Sequence, residues 1–170
     1  MSDIKLPASI QVSIQPQRFD IGIESAELNK AYGDNIGAIA SFSGLVRAKE
    51  KSVNSADQAS ADPQLLALEI EHYPAMTQSA IEAICQTAQE RWPFVACKVI
   101  HRIGRLEVGQ PIVMVLVLAE HRKEAFATCE FIMDYLKTSA PFWKKAIFNE
   151  TEHWVDAKAS DNDALKKWNS

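Results

Sequence analysis

The chain has 170 residues, 47% hydrophobic and 24% charged, which suits one compact domain with a real core. Its net charge of −4 argues against a general nucleic-acid binder, although a local basic site remains possible. The longest apolar run, residues 112–119, is too short to span a bilayer, and the opening MSDIKLPASIQ lacks the long apolar stretch of a secretory signal.

Ile10, Val12 and Ile14 alternate with polar residues and predict a short strand closed by Pro16. Residues 23–32 predict a short helix stopped near Gly33. Residues 36–46, IGAIASFSGLV, read as a buried strand of small residues, whose glycines point to close backbone approach or a bulge. Residues 48–63 are polar, low in complexity and free of aromatics, and read as a mobile loop. Such a loop is either a functional lid or a tolerated surface insertion, and composition favours the insertion.

Residues 65–73 alternate, with Leu66, Leu68, Ile70 and His72 on one strand face and Glu69 and Glu71 on the other. Thr77 reads as the N-cap of a helix whose Ile81, Ile84, Cys85 and Ala88 have helical spacing, and Pro93 closes it. Two strands follow, over 95–103 and 112–120, joined by a segment with Gly104 and Gly109. The second strand's continuous run, IVMVLVLA, fits a central position. Residues 122–137 form the next helix, with Phe126, Cys129, Ile132, Met133 and Leu136 on its buried face. Short strands at 143–147 and 153–157 flank a hairpin turn at Asn149 and Glu150. The tail, 160–170, is polar and reads as frayed, although Leu165 and Trp168 can dock. No internal repeat or second hydrophobic core is visible. The pattern is a single mixed α+β domain over residues 1–170 with a largely antiparallel sheet.

The three cysteines, Cys85, Cys97 and Cys129, are widely spaced among apolar neighbours, with no CxxC and no Cys/His ligand spacing. They read as buried reduced thiols of a cytoplasmic protein, with no structural metal.

Chemistry gathers in FIMDYLKTSAPFWKK, residues 131–145. Pro141 pushes the residue before it out of the helical region, so the helix stops near Ala140 and Lys137 falls in its last turn. Lys144 and Lys145 follow on an extended segment beyond Phe142 and Trp143. Lysines from two elements meeting in an apolar-walled pocket can act as acid, base or nucleophile. The plainer readings are a cation on a helix C-terminus for Lys137 and a lysine-blunted edge strand for Lys144 and Lys145. Other basic residues also sit at element ends: Arg47 after one strand, and His121, Arg122 and Lys123 after the central one. Arg47 reads equally as a solvated strand end, and the 121–123 run as an exposed helix start. That start, however, can also cradle phosphate on its free N–H groups. His72, His101 and His153 read as structural, since no nucleophile motif accompanies them. The residues alone reach an α+β domain with an anion site and lysine chemistry, and no reaction.

Six motifs carry a resemblance. They are FSGLVR at 42–47, LEIEHYPAM at 68–76, RWP at 91–93, VIHRIGRLEVGQ at 99–110, AEHRKEAF at 119–126 and FIMDYLKTSAPFWKK at 131–145. In order and together they resemble the large, catalytic subunits of molybdopterin synthases, over about residues 10–160. The resemblance implies an α/β hammerhead-type fold with an additional antiparallel β-subdomain. It implies a heterotetramer, in which two large subunits form a central dimer and a small ubiquitin-like subunit binds at each end. The small subunit's C-terminal Gly-Gly carries a thiocarboxylate. Its sulfur is transferred to cyclic pyranopterin monophosphate to form the dithiolene of molybdopterin, a sulfurtransferase step needing no metal or other cofactor.

Carried over by motif, Lys137 and Lys144 match the family's catalytic lysines. Arg47, His121 and Arg122 match positions that bind the pterin and its phosphate, and Lys145 belongs to the binding stretch beside Lys144. The resemblance also implies a pocket completed across the dimer. Three departures stand out: Leu45 where a polar residue is expected, Ala146 where a glutamate is expected, and a longer 48–63 loop. Two alternatives stay open: a non-catalytic module docking a ubiquitin-like protein, and a phosphate-ligand binder unrelated to sulfur.

Overall fold

The computed structural model describes residues 8–48, 64–155 and 159–168, without the side chains of 159–162. The predicted loop lies, from residue 49 on, outside the described residues. The elements run β1 (Ser9–Gln15), α1 (Ile21–Tyr32), β2 (Ala38–Leu45), β3 (Ala67–His72), α2 (Pro74–Arg91), β4 (Ala96–Arg102), β5 (Gly104–Glu107), β6 (Pro111–Ala119), α3 (Arg122–Thr138), β7 (Phe142–Ile147), β8 (Glu152–Trp154) and α4 (Ala159–Lys166).

The strands form two sheets rather than one. The first has the order β1-β4-β6-β2 and is mixed, since β1 runs parallel to β4 while β4, β6 and β2 are antiparallel. The second, β5-β3-β7-β8, is antiparallel throughout and is the expected β-subdomain. The fold is α+β. Each sheet has its own apolar packing, so the expectation of a lone core is corrected.

Strand β6 shows why the first sheet is stable. Val113, Val115 and Val117 face α2 and α3, while Met114, Leu116 and Leu118 face Leu28 of α1. Both faces are covered, which is what its unbroken apolar sequence requires. On β4, Cys97 and Val99 share the helix-facing side. Strand β2, by contrast, is not the buried strand expected from its sequence. It is the sheet's edge, and Ile39, Phe42 and Leu45 are exposed there. Phe126 of α3 is also exposed, against its expected place on the buried face.

Two glycines steer the chain. Gly44 lies at a break in the β2–β6 register, and a Cβ there would come within 2.9 Å of a Val113 methyl. Gly104, at φ +78°, passes the chain from β4 in the first sheet to β5 in the second, a strand not evident from the sequence. Beside it, the buried Arg102 donates to the carbonyls of Pro16 and Pro111 at 3.0 Å and so ties the ends of β1 and β6 together.

Helix α2 starts earlier than expected, with Tyr73 as N-cap and Pro74 in its first turn. Buried Thr77 accepts from the Tyr73 N–H at 3.2 Å and donates to the Pro141 carbonyl at 3.1 Å. This hydroxyl therefore fixes the start of α2 against the break that follows Lys137. The tail is helical rather than frayed. The Trp168 ring packs on Trp92 and Phe131, and its indole N–H donates to Asp134 at 2.9 Å.

Candidate active site

A cavity of about 590 Å³ opens where the two sheets meet α3, a size ordinary for a small-molecule site. Strand β2 and its bulge supply Phe42, Ser43, Gly44 and Leu45, and the chain beyond supplies Arg47. The last turns of α3 bring Met133, Leu136 and Lys137, and β4 brings His101. Strand β7 brings Phe142 and Lys144. Three of the six expected site residues, Arg47, Lys137 and Lys144, thus line one space although they come from three separate elements.

Each placement has a local cause. Lys137 lies in the last turn of α3, and the helix ends one residue later, with Ser139 N–H bonding the Tyr135 carbonyl. Pro141 then lets the chain turn into β7. Period-two alternation puts Phe142, Lys144 and Ala146 on the face of the second sheet that bears Leu68 and Ile70. Lys137 also lines a smaller cavity of about 260 Å³, with Phe42, Phe126, Cys129, Met133 and Asp134.

The other three expected residues lie elsewhere. Lys145 points to the opposite face of β7, 3.2 Å from a Glu152 carboxylate oxygen and 4.9 Å from the centre of the Trp154 ring. His121 is the N-cap of α3 and Arg122 its first residue, both exposed. His121 Nε2 lies 3.5 Å from the Glu120 carboxylate. A helix rises 1.5 Å per residue, so Arg122 and Lys137 are about 22 Å apart along α3. Within one chain they cannot hold the same small ligand.

His101 was not legible as a site residue. It is 5% exposed, yet it lines the cavity. Its ring stacks on Phe142 with centroids 3.7 Å apart and planes 15° from parallel, and His72 also stacks on Phe142, at 6.3 Å. Its Nδ1 lies 2.8 Å from the Arg102 carbonyl. Burial, with a smaller contribution from the Lys144 charge, lowers its pKa to about 3. The signal available in the sequence was alternation: His101 falls in step with Cys97 and Val99, on the face turned to α2 and α3.

The cysteines are reduced and buried, as expected. Cys85 and Cys97 sit with sulfurs 4.0 Å apart, and this contact with burial raises the Cys97 pKa well above the usual thiol range. Burial pushes the Cys129 thiol up to about 11. Both stay thiols at neutral pH, unsuited to nucleophilic work. Ala146, where a glutamate was expected, is fully buried beside the second sheet's apolar cluster. Among the described residues, no helix is long and apolar enough to cross a membrane.

Known proteins resemble this chain in sequence and fold. The family model described as MoaE protein matches residues 14–139. A molybdopterin synthase catalytic subunit of Vibrio cholerae is 44% identical over 158 residues, covering 93% of this chain and 97% of that protein. One of Ralstonia nicotianae is 45% identical over 157 residues, covering 92% of this chain and 83% of that protein. Among solved structures, the molybdopterin biosynthesis MoaE protein of Burkholderia ambifaria matches with a TM-score of 0.75 at 44% identity, covering 96% of this chain and 99% of that one.

Proposed function

The chain belongs to the MoaE family, and from that premise we propose that it is the catalytic subunit of a molybdopterin synthase. It transfers sulfur from the thiocarboxylated Gly-Gly terminus of a small ubiquitin-like subunit to cyclic pyranopterin monophosphate. The observation that carries this reading is the convergence of Arg47, Lys137 and Lys144 on one cavity. An anionic pterin needs cations for its phosphate, and sulfur transfer needs a proton carrier beside the reacting atoms.

Arg47 offers a planar fork to phosphate oxygens, and Lys144 neutralises charge on the phosphate or on the acyl intermediate. The thiocarboxylate sulfur is the nucleophile. Lys137, at the end of α3, is the general acid/base that serves the opening of the cyclic phosphate. The cysteines carry no sulfur in this scheme, in keeping with their burial.

The protein works in the cytoplasm as a heterotetramer, with a central dimer of this chain and a small subunit at each end. Two observations support the dimer. Ile39, Phe42, Leu45 and Phe126 leave apolar side chains exposed around the β2 edge. The resemblance gives His121 and Arg122 to the same phosphate as Lys137, and Arg122 lies about 22 Å along α3 from Lys137, so they would reach that phosphate in the neighbouring copy's cavity.

The test is turnover. The purified chain is mixed with precursor and thiocarboxylated small subunit, and molybdopterin is measured. Formation that depends on the thiocarboxylate supports the reading. Tail binding or precursor binding with no molybdopterin formed in the presence of the thiocarboxylate rejects it.

A further inference from the structure

We propose that His101 is a substrate-binding residue whose Nε2 accepts a hydrogen bond from an N–H of the pterin ring. The proposal rests on the pterin substrate assigned above.

Tautomer logic comes first. The Arg102 carbonyl can only accept, so Nδ1, 2.8 Å away, carries the proton and donates. A neutral imidazole has one N–H, so Nε2 is a bare acceptor. Burial and the Lys144 charge keep the ring neutral at working pH.

The surroundings then give that lone pair a use. The Nδ1 edge is tied to the backbone, and one ring face is covered by Phe142 at 3.7 Å. The ring still lines the cavity, and with Nδ1 tied back the only lone pair it can offer a ligand there is that of Nε2. The charged side chains there, Arg47, Lys137 and Lys144, are donors in their ionised forms. They suit a phosphate and cannot satisfy the N–H groups of a pterin. Among the described lining side chains, Ser43 and His101 can accept, and Ser43 is exposed while His101 is held rigidly by its stack. A bound N–H left without a partner loses affinity, so a fixed neutral acceptor among cations selects for a ligand that carries both kinds of group.

The experiment has two arms on the full-length protein. In the first, wild type labelled with ¹⁵N-histidine is titrated with cyclic pyranopterin monophosphate. The His101 Nε2 resonance should begin as that of an unprotonated nitrogen and move towards a hydrogen-bonded value. In the second, precursor binding is measured by calorimetry for His101→Phe, which keeps a ring to stack on Phe142, and for His101→Gln, which restores an acceptor. Binding should weaken roughly 10- to 100-fold in His101→Phe and recover in part in His101→Gln. Small-subunit affinity should not change.

A saturated complex with an unmoved Nε2 resonance overturns the proposal, whether or not His101→Phe folds. So does unchanged affinity in His101→Phe. Binding with the Nε2 shift but no sulfur transfer rejects the synthase reading and leaves the acceptor standing. Failure of wild type to bind precursor overturns both.

Discussion

The two ends of α3 carry similar residues in opposite settings. At the N-terminal end, His121, Arg122 and Lys123 stand exposed around the free N–H groups of the helix. At the C-terminal end, Lys137 meets Arg47, Lys144 and His101 across a cavity walled by two sheets. Basic charge is common to both ends, and enclosure is not. An ion pair in open water is worth little, whereas cations grouped against apolar walls hold an anion well. The C-terminal end therefore forms an enclosed group of cations within one chain. The N-terminal end stays open to solvent, and under the proposed function it is a second copy that encloses it.

The sharpest break in that comparison is kinetic. Lys137→Ala should lower molybdopterin formation about a hundredfold or more, since a positioned proton carrier contributes that much. Arg122→Ala should chiefly weaken precursor binding. If α3 serves two cavities, each variant should rescue the other. Random mixing makes half the dimers mixed, and each mixed dimer has one cavity with both residues intact. Activity should then recover to about a quarter of wild type. No recovery on mixing would put both ends in the same cavity and contradict the helix geometry.

The same contrast explains what was legible in the sequence. The positions of Lys137 at a helix end and Lys144 on a strand face are legible because Pro141 and alternation are both local signals. The unbroken IVMVLVLA run likewise marked a strand covered on two sides. The β2 edge reads as buried in the sequence because Ile39, Phe42 and Leu45 are apolar, and sequence does not say whether this chain or a second one covers them. The small strand β5 was missed because its partner, β3, lies more than thirty residues away. His101 reads as structural in the sequence because the phenyl ring that stacks on it comes from Phe142, in the other sheet. Its position beside Lys144 exists only once both sheets are assembled.

His101 links the site to stability, and pH separates the two. The folded chain binds its proton at about 3, while the unfolded chain binds it near 6.5. Between those values the unfolded state holds more protons, so the native state loses ground as pH falls. The slope from this group approaches about 1.4 kcal/mol per pH unit across the window, and vanishes above it. Urea midpoints measured from pH 7 to 4 should decline less steeply for His101→Phe than for wild type. Parallel declines would mean that His101 titrates freely and is not held neutral at the cavity wall.

The smallest effect is expected from two adjacent residues. Lys144 and Lys145 differ by one position, so alternation sends them to opposite faces of β7. Lys144 enters the cavity, while Lys145 pairs with Glu152 beside Trp154. Glu152 is largely exposed, so the pair contributes at most about 1 kcal/mol to folding. Lys145→Ala should therefore leave precursor affinity within about threefold of wild type, with a comparably small loss of stability. Lys144→Ala should weaken the same affinity well beyond that, because its charge lies among those that face the ligand. Equal losses in the two variants would show that the face of β7 does not decide which lysine meets the substrate. Lys145 would then recover the binding role that the resemblance gave it, and enclosure would fail as the rule that separates the two ends of α3.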